Sequence, residues 1–398
     1  MTYVTGLSQK DTYAHNLRAV FEVIRVHGPM TIAEIAPYTG LTVQTISNLT
    51  GELDADGFIR SPGRIKSRRG QPPKQFTVNE SALCSIGVHL ERGYYSALLT
   101  DLSGRTLRRE ASQLHEATPE AALLEIAATV RKLQTEAGSP VAGVGLALPG
   151  PLSLVEGRVR SVPNYPGWDD VPVSDILRGH TGLPVFIEND ATAAAIGELR
   201  HGGARGCQDF FYIYFGTNLG GGIISNGAAM RGATANAGEF GRLLVGNMGG
   251  PEVNHIVSFA ALRRAFPGIT KDEVALRLNA EDADLITWLE NACDALLAPI
   301  HAVENLLDPE RIVLGGEFPD SVFSWLATRL AEKISNARPA GALPPPAIDA
   351  SFSDGKAAAL GAAALPVLAA LSLGSLSLKV ASETAALPLK QPAFWQGG

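Results

Sequence analysis

The sequence predicts an α/β protein that opens with a winged helix-turn-helix. Three observations predict it. Capped helical segments lie between Asp11 and Leu53 and lead into an Arg-rich hairpin. The apolar run Leu183-Pro184-Val185-Phe186 passes through Ile187-Glu188-Asn189-Asp190 into an Ala-rich segment. Apolar strand-like runs also end in the Gly-rich turns Gly216 to Gly222 and Gly315-Gly316, a pattern of strands alternating with helices.

Leu17, Val20, Phe21, Ile24 and Val26 recur at near-helical spacing, so Asp11 to His27 is an amphipathic helix. Gly28-Pro29 ends it. Thr31 caps a short second helix that carries Ile32, Ile35 and Ala36, and Glu34 completes a capping box. Thr39-Gly40-Leu41 makes a tight turn. Thr42 starts a third helix with Ile46, Leu49 and Leu53 on one face. That leaves Gln44, Thr45, Ser47 and Asn48 outward near its start, side chains of the kinds that hydrogen-bond base edges. Phe58-Ile59 and Gln75-Phe76-Thr77-Val78 are strands around the hairpin Ser61 to Lys74.

The chain has a net charge of −7, which by itself disfavours nucleic acid. Its distribution argues the other way. Gly57 to Asn79 holds Arg60, Arg64, Lys66, Arg68, Arg69 and Lys74 and no acid. A basic hairpin on an acidic body suits DNA phosphates and a minor groove. The alternative is a helical dimerisation domain with a solvated charged loop. Residues 1–79 are expected to be the DNA-binding domain, with Thr42, Gln44, Thr45, Ser47, Asn48 and the six cations as its contacts.

At 398 residues the chain holds two or three domains. Its 45% hydrophobic and 18% charged residues are ordinary for a soluble globular protein. Cys84, Cys207 and Cys293 are scattered and form no disulfide framework. The start of the chain is polar, so no secretory signal opens it and a cytoplasmic location is expected. Ala357 to Leu378 is uncharged and long enough to span a bilayer. It is mostly Ala, Gly, Ser and Leu, which predicts a buried helix and a tail instead of a membrane span.

Asn189 and Asp190 stand at a strand-to-helix junction, where α/β folds place ligands. An amide beside a carboxylate suits a polyhydroxylated ligand, since Asn donates and accepts and ionised Asp accepts only. Asp190 could also act as a general base toward a hydroxyl, or merely cap the helix.

The stretch Ile187 to Ala195 resembles the signature of the ROK family of sugar kinases and sugar-responsive repressors. So do, in order, Val144 to Pro151, Pro163-Asn164-Tyr165-Pro166-Gly167-Trp168, Phe215 to Ile223, Gly238-Glu239-Phe240-Gly241-Arg242 and Ile312 to Gly316. The resemblance covers roughly residues 80 to 370 and extends to the basic wing. It implies an actin-like (ribonuclease H-like) two-lobed body, with a small lobe over 80–190 and a large lobe over 191–398 whose last helix returns to the small lobe. It also implies a ligand site built from Asn164, Asn189, Asp190, Glu239, Arg242 and Asn254.

Kinase members of the family have Asp-x-Gly-Gly-Thr after the first strand of the body, where glycines admit phosphate. Here the strand Cys84 to Val88 is followed by His89, Leu90, Glu91 and Arg92. His89 replaces the acid, and Glu91 and Arg92 replace the glycines, so ATP binding is expected to be lost. The family's zinc-binding run is also missing. Arg242 stands at its histidine, Leu243 to Ser258 has no Cys, and His255 alone cannot hold a tetrahedral ion. No metal and no cofactor are expected. The resemblance points to a repressor that senses a sugar or polyol and binds a palindromic operator as a homodimer or homotetramer. Arg242 is expected to pair internally with Glu239 or another acid, which favours a neutral ligand; the competing reading is an anionic effector such as a sugar acid or sugar phosphate, held by Arg242. The alternative is an active ATP-dependent sugar kinase with a regulatory N-terminus.

Overall fold

The computed structural model describes residues 9–62, 73–114, 118–162, 165–246, 249–338, 341, 343–351 and 355–372. The wing residues Arg64, Lys66, Arg68 and Arg69, the ligand candidate Asn164 and the tail beyond 372 lie outside them.

The N-terminal domain is three helices and a small sheet: α1 (Gln9–His27), β1 (Met30–Thr31), α2 (Ile32–Thr39), α3 (Val43–Ala55), β2 (Ile59–Arg60) and β3 (Gln75–Val78). The order β1-β3-β2 is antiparallel throughout. Thr31 and Glu34 form the expected capping box, and Thr42 accepts from the Thr45 amide to cap α3. Gly40, with φ at +66°, closes α2 in the left-handed region. Leu17, Val20, Phe21, Ile24, Ile35, Ile46, Leu49 and Leu53 bury together. Val26 was expected with them but is exposed. Two residues after Ile24 the helix has turned about 200°, which carries Val26 to the opposite side.

The body begins with β4 (Cys84–Glu91), β5 (Tyr94–Asp101), β6 (Thr106–Gln113), α4 (Pro119–Glu136) and β7 (Val141–Leu148). A small ribbon of β8 (Leu152–Ser153) and β9 (Arg158–Val159) follows, then α5 (Val173–Thr181), β10 (Val185–Asn189) and α6 (Asp190–His201). The first sheet has the order β10-β7-β4-β5-β6. β10, β7 and β4 are parallel, with buried faces that explain their nearly continuous apolar runs. The strand expected to stop at Val88 continues to Glu91 and turns through Arg92-Gly93 into β5. Gly93, with φ at +81°, supplies the two-residue turn. His89 and Glu91 therefore sit on a strand, not on a loop.

The second sheet is β13-β12-β11-β14-β15, built from β11 (Phe210–Phe215), β12 (Leu219–Ser225), β13 (Ala228–Ala229), β14 (Arg311–Gly316) and β15 (Ala347–Ala350). Between β13 and β14 lie α7 (Asn254–Val257), α8 (Phe259–Ala265), α9 (Lys271–Asn279) and α10 (Ala283–Leu307). α11 (Asp320–Ala337) follows β14, and α12 (Ala357–Ser372) follows β15. Alternation on β11 divides its side chains. Phe211, Ile213 and Phe215 face the core that includes α10 and α11. Phe210, Tyr212 and Tyr214 join the core that includes the first sheet, α6 and α12.

α6 and α12 lie between the two sheets. A Cβ on Gly145 of β7 would come 1.9 Å from the Ala362 carbonyl oxygen, and one on Gly361 would come 1.7 Å from that of Ala193. Glycine at these positions lets two helices and a sheet approach backbone to backbone. α12 is buried as expected of the uncharged Ala-rich stretch, and no described helix is long and apolar enough to cross a membrane. It packs on β4, β7 and α6, and its Val367 and Leu371 reach the core of the N-terminal domain. The lobe boundary expected at 190/191 falls in the first turn of α6, a helix that packs against both sheets.

Candidate functional site

α3 presents its polar edge as the spacing requires. Gln44, Ser47 and Asn48 are exposed, and Gln44 donates to Asn48 at 3.1 Å. Thr45 is half-buried and its hydroxyl meets that of Thr42 at 2.9 Å. The two described wing cations also make contacts within the protein. Lys74 is paired with Asp54 at 2.6 Å and lies over the Phe76 ring, so part of its charge is spent within the domain. Arg60 lines a cavity of about 240 Å³ with Glu80, Asp101 and Arg105, at the junction with the body.

In the body, the C-terminal ends of β4, β7 and β10 come together as in other open α/β sheets. Asn189, not Asp190, caps α6: its Oδ1 accepts from the Ala191 and Thr192 amides at 3.0 and 3.2 Å. That settles the choice left open by the sequence and leaves Asp190 as the first helical residue. Asp190 is buried, with one hydrogen bond from the Ala191 amide at 2.8 Å. Burial and then the charge of Glu91 push its carboxyl up to about 7.

Glu91 ties several elements together. It accepts from the Tyr165 hydroxyl, from the Arg92 amide at 2.9 Å, and from the Thr217 amide at 3.3 Å. Thr217 belongs to the glycine-rich turn between β11 and β12, so this carboxylate bridges the two sheets. His89 does the same through Tyr214, whose hydroxyl is 3.1 Å from Nε2. Burial pushes the His89 imidazole down, which keeps it neutral. Tyr214 also donates to Glu317 at 3.3 Å, and Glu317 is paired with Lys271. Arg231 contacts the buried Glu188 of β10 at 2.8 Å. Tyr165, Tyr214, Glu317 and Arg231 were not expected here. No spacing in the sequence marks them, because each reaches the cleft from a different element.

The remaining candidates lie farther out or serve the backbone. Asn254 Oδ1 accepts from the Leu219 amide at 2.8 Å and so fixes the start of β12. Glu239 and Arg242 flank a single 3₁₀ turn and are both exposed. Their charges attract, and the Arg242 amide donates to the Glu239 carbonyl at 3.1 Å, but no side-chain ion pair joins the two among the described residues. Burial of its carboxyl still raises Glu239. The residues at the family's zinc positions do not fit zinc, since Arg242 offers no lone pair and the three cysteines lie in separate elements.

The far end of α6 carries a second charged cluster. Arg200 Nη1 is 2.8 Å from Glu22 Oε1 of α1, off the hydrogen-bonding line and therefore a charge contact. Arg25 donates to the other Glu22 oxygen at 2.8 Å and to the Arg200 carbonyl at 3.1 Å. Burial alone would raise the Glu22 carboxyl; Arg200 and then Arg25 outweigh it and hold it below its ordinary range.

The ROK family model matches residues 85–367. A xylose repressor from Caldicellulosiruptor bescii is 28% identical over 338 residues, covering 77% of this chain and 83% of the relative. A glucokinase from Thermotoga maritima is 29% identical over 259 residues, covering 58% and 81%. The crystal structure of a ROK family transcriptional regulator, a homologue of the E. coli MLC protein, covers 94% of this chain and 100% of its own at a TM-score of 0.74 and 22% identity, and shares the fold. With most of its length matched by the family model and its two sheets arranged as described, the chain belongs to the ROK family.

Proposed function

We propose that the protein is a DNA-binding transcriptional repressor whose ROK body senses a neutral sugar or polyol. The observation that carries this is α6. Its N-terminus holds Asn189 and Asp190 in the cleft, and its C-terminal Arg200 holds Glu22 of the DNA-binding domain. Twelve residues make a rod about 18 Å long between the two. An effector that favours one cleft geometry would move α6 and α12 together, and with them α1. It must bind the two geometries with different affinity, or nothing moves. In a dimer this changes the spacing of two α3 helices on a two-fold operator, whose half-sites lie a helical turn or a multiple of it apart.

Glu91 supports a regulator over a kinase. Its carboxylate occupies the amide of Thr217, in the turn that would otherwise face a phosphate, and like charges repel. Asp190 then accepts hydrogen bonds from ligand hydroxyls instead of acting as a base. The relatives named xylose repressor make xylose the first sugar to try.

The test is fluorescence anisotropy of the full chain on its own promoter DNA, with and without a panel of sugars and polyols that starts with xylose. One effector should change DNA affinity at least fivefold. Asp190→Asn should weaken that effector about five- to a hundredfold, since a mispaired buried group costs about 1–3 kcal/mol, with DNA affinity in its absence unchanged. Phosphate transfer from labelled ATP to a sugar would overturn the assignment.

A further inference from the structure

We propose that His89, Glu91 and Asp190 bind one divalent first-row transition-metal ion of the Zn²⁺ or Mn²⁺ kind in the cleft. His89 and Glu91 are alternate residues of β4 and so project from the same face of the strand. Asp190 joins them from the start of α6, two strands away across β7. The residue of β7 in register with His89 is Ala147, whose small side chain leaves room between them. One potential ligand atom from each of the three lies within 4.8 Å of the others, and all three side chains are buried. Metal–nitrogen and metal–oxygen bonds of about 2.0–2.2 Å hold ligand atoms about 3–3.6 Å apart, so the three side chains need to close by about 1–2 Å to bind.

Charge argues for the same occupant. Glu91 and Asp190 bring two carboxylates together in buried positions. The nearby cations are committed elsewhere, Lys271 to Glu317 and Arg231 to Glu188. No ion pair reaches Glu91 or Asp190 among the described residues. A dication would neutralise both. One imidazole and two carboxylates form a borderline-hard donor set, which suits manganese or zinc better than copper(I) or an iron–sulfur cluster. Three protein ligands leave at least one position for water or a hydroxyl. The competing arrangement is a proton shared by the two carboxylates.

The full-length protein, stripped with EDTA, is titrated calorimetrically with Zn²⁺ and with Mn²⁺ in separate experiments, without sugar or DNA. Co²⁺ serves as a visible-absorption probe. One ion per chain is expected, with d–d bands that are lost in Glu91→Gln and His89→Ala. Each variant should weaken binding at least about tenfold. Glu91→Gln keeps the side-chain shape and decides the matter if His89→Ala does not fold. Two results would overturn the site: neither ion binding at one per chain, as a shared proton predicts, or binding undiminished in the variants, which places the ion on other side chains. Because no effector is present, failure here leaves the sugar-sensing assignment standing, and failure of that assignment leaves this one.

Discussion

Replacing Glu22 by Gln tests whether the N-terminal domain is anchored to the body through charge. The substitution keeps the side-chain shape and removes the only carboxylate among the described residues that joins Arg25 and Arg200. Those two side chains are 6% and 8% exposed, so after the change two guanidinium groups face each other with little water. Breaking a fully buried pair in this way costs about 3–5 kcal/mol. Glu22 itself is 27% exposed, and solvent screening lowers the expected loss to about 2–3 kcal/mol. Urea unfolding followed by tryptophan fluorescence and by circular dichroism measures it. A cycle with Arg200→Gln should give a coupling of at least about 1 kcal/mol, because each single variant removes one partner of the same charge contact. A loss below about 0.5 kcal/mol, or single-variant effects that simply add, would refute the anchor. A coupling that exists while Glu22→Gln still responds fully to effector would confine it to stability and remove it from signal transfer.

His201 ends α6 against Gly104, and burial, followed by Arg200, Arg25 and Arg205, pushes its imidazole down to about 2. The unfolded chain then takes up a proton near pH 6.5 that the folded chain refuses, so this stability is intact above that pH and lost below it. Between pH 7 and 5 the fall should be about 1–2 kcal/mol larger in the wild type than in His201→Gln; parallel pH profiles of the urea midpoint would count against it. Gly361→Ala drives a methyl into the Ala193 carbonyl and should cost at least about 1–3 kcal/mol by overpacking, whereas an unchanged thermal midpoint would mean that α12 shifts freely. Removing Arg68 and Arg69 together should lower the salt slope of DNA binding by roughly two units, and an unchanged slope would take them off the phosphates.

The N-terminal domain was legible because its signals are local. Thr31 and Glu34 are three residues apart, and Ile46, Leu49 and Leu53 repeat on one helical face. The β4 strand was cut short for a different reason. Likeness to a phosphate loop suggests an end at Val88, but His89-Leu90-Glu91 contains nothing that breaks a strand, and Gly93 supplies the positive φ on which the chain turns back. The Glu22–Arg200 contact spans positions with no periodicity between them, and only the fold brings them together. The three-residue spacing of Glu239 and Arg242 suggests an internal pair. A single 3₁₀ turn does not hold such a pair in contact, and both side chains go to solvent.

The cleft shows how few residues separate two uses of one fold. A general base raises a rate only when an electrophile stands within reach of the hydroxyl it activates. In this chain Glu91 accepts the Thr217 amide and the Tyr165 hydroxyl, so the β11–β12 turn is already engaged by a carboxylate from the other sheet. His89 adds a second bridge through Tyr214. These contacts tie the two sheets together at the cleft. Under the proposed function, Asp190, at the head of the helix that Asn189 caps, serves to bind the effector. In that proposal, binding there shifts α6, and near the other end of α6 Arg200 is in contact with Glu22 of α1.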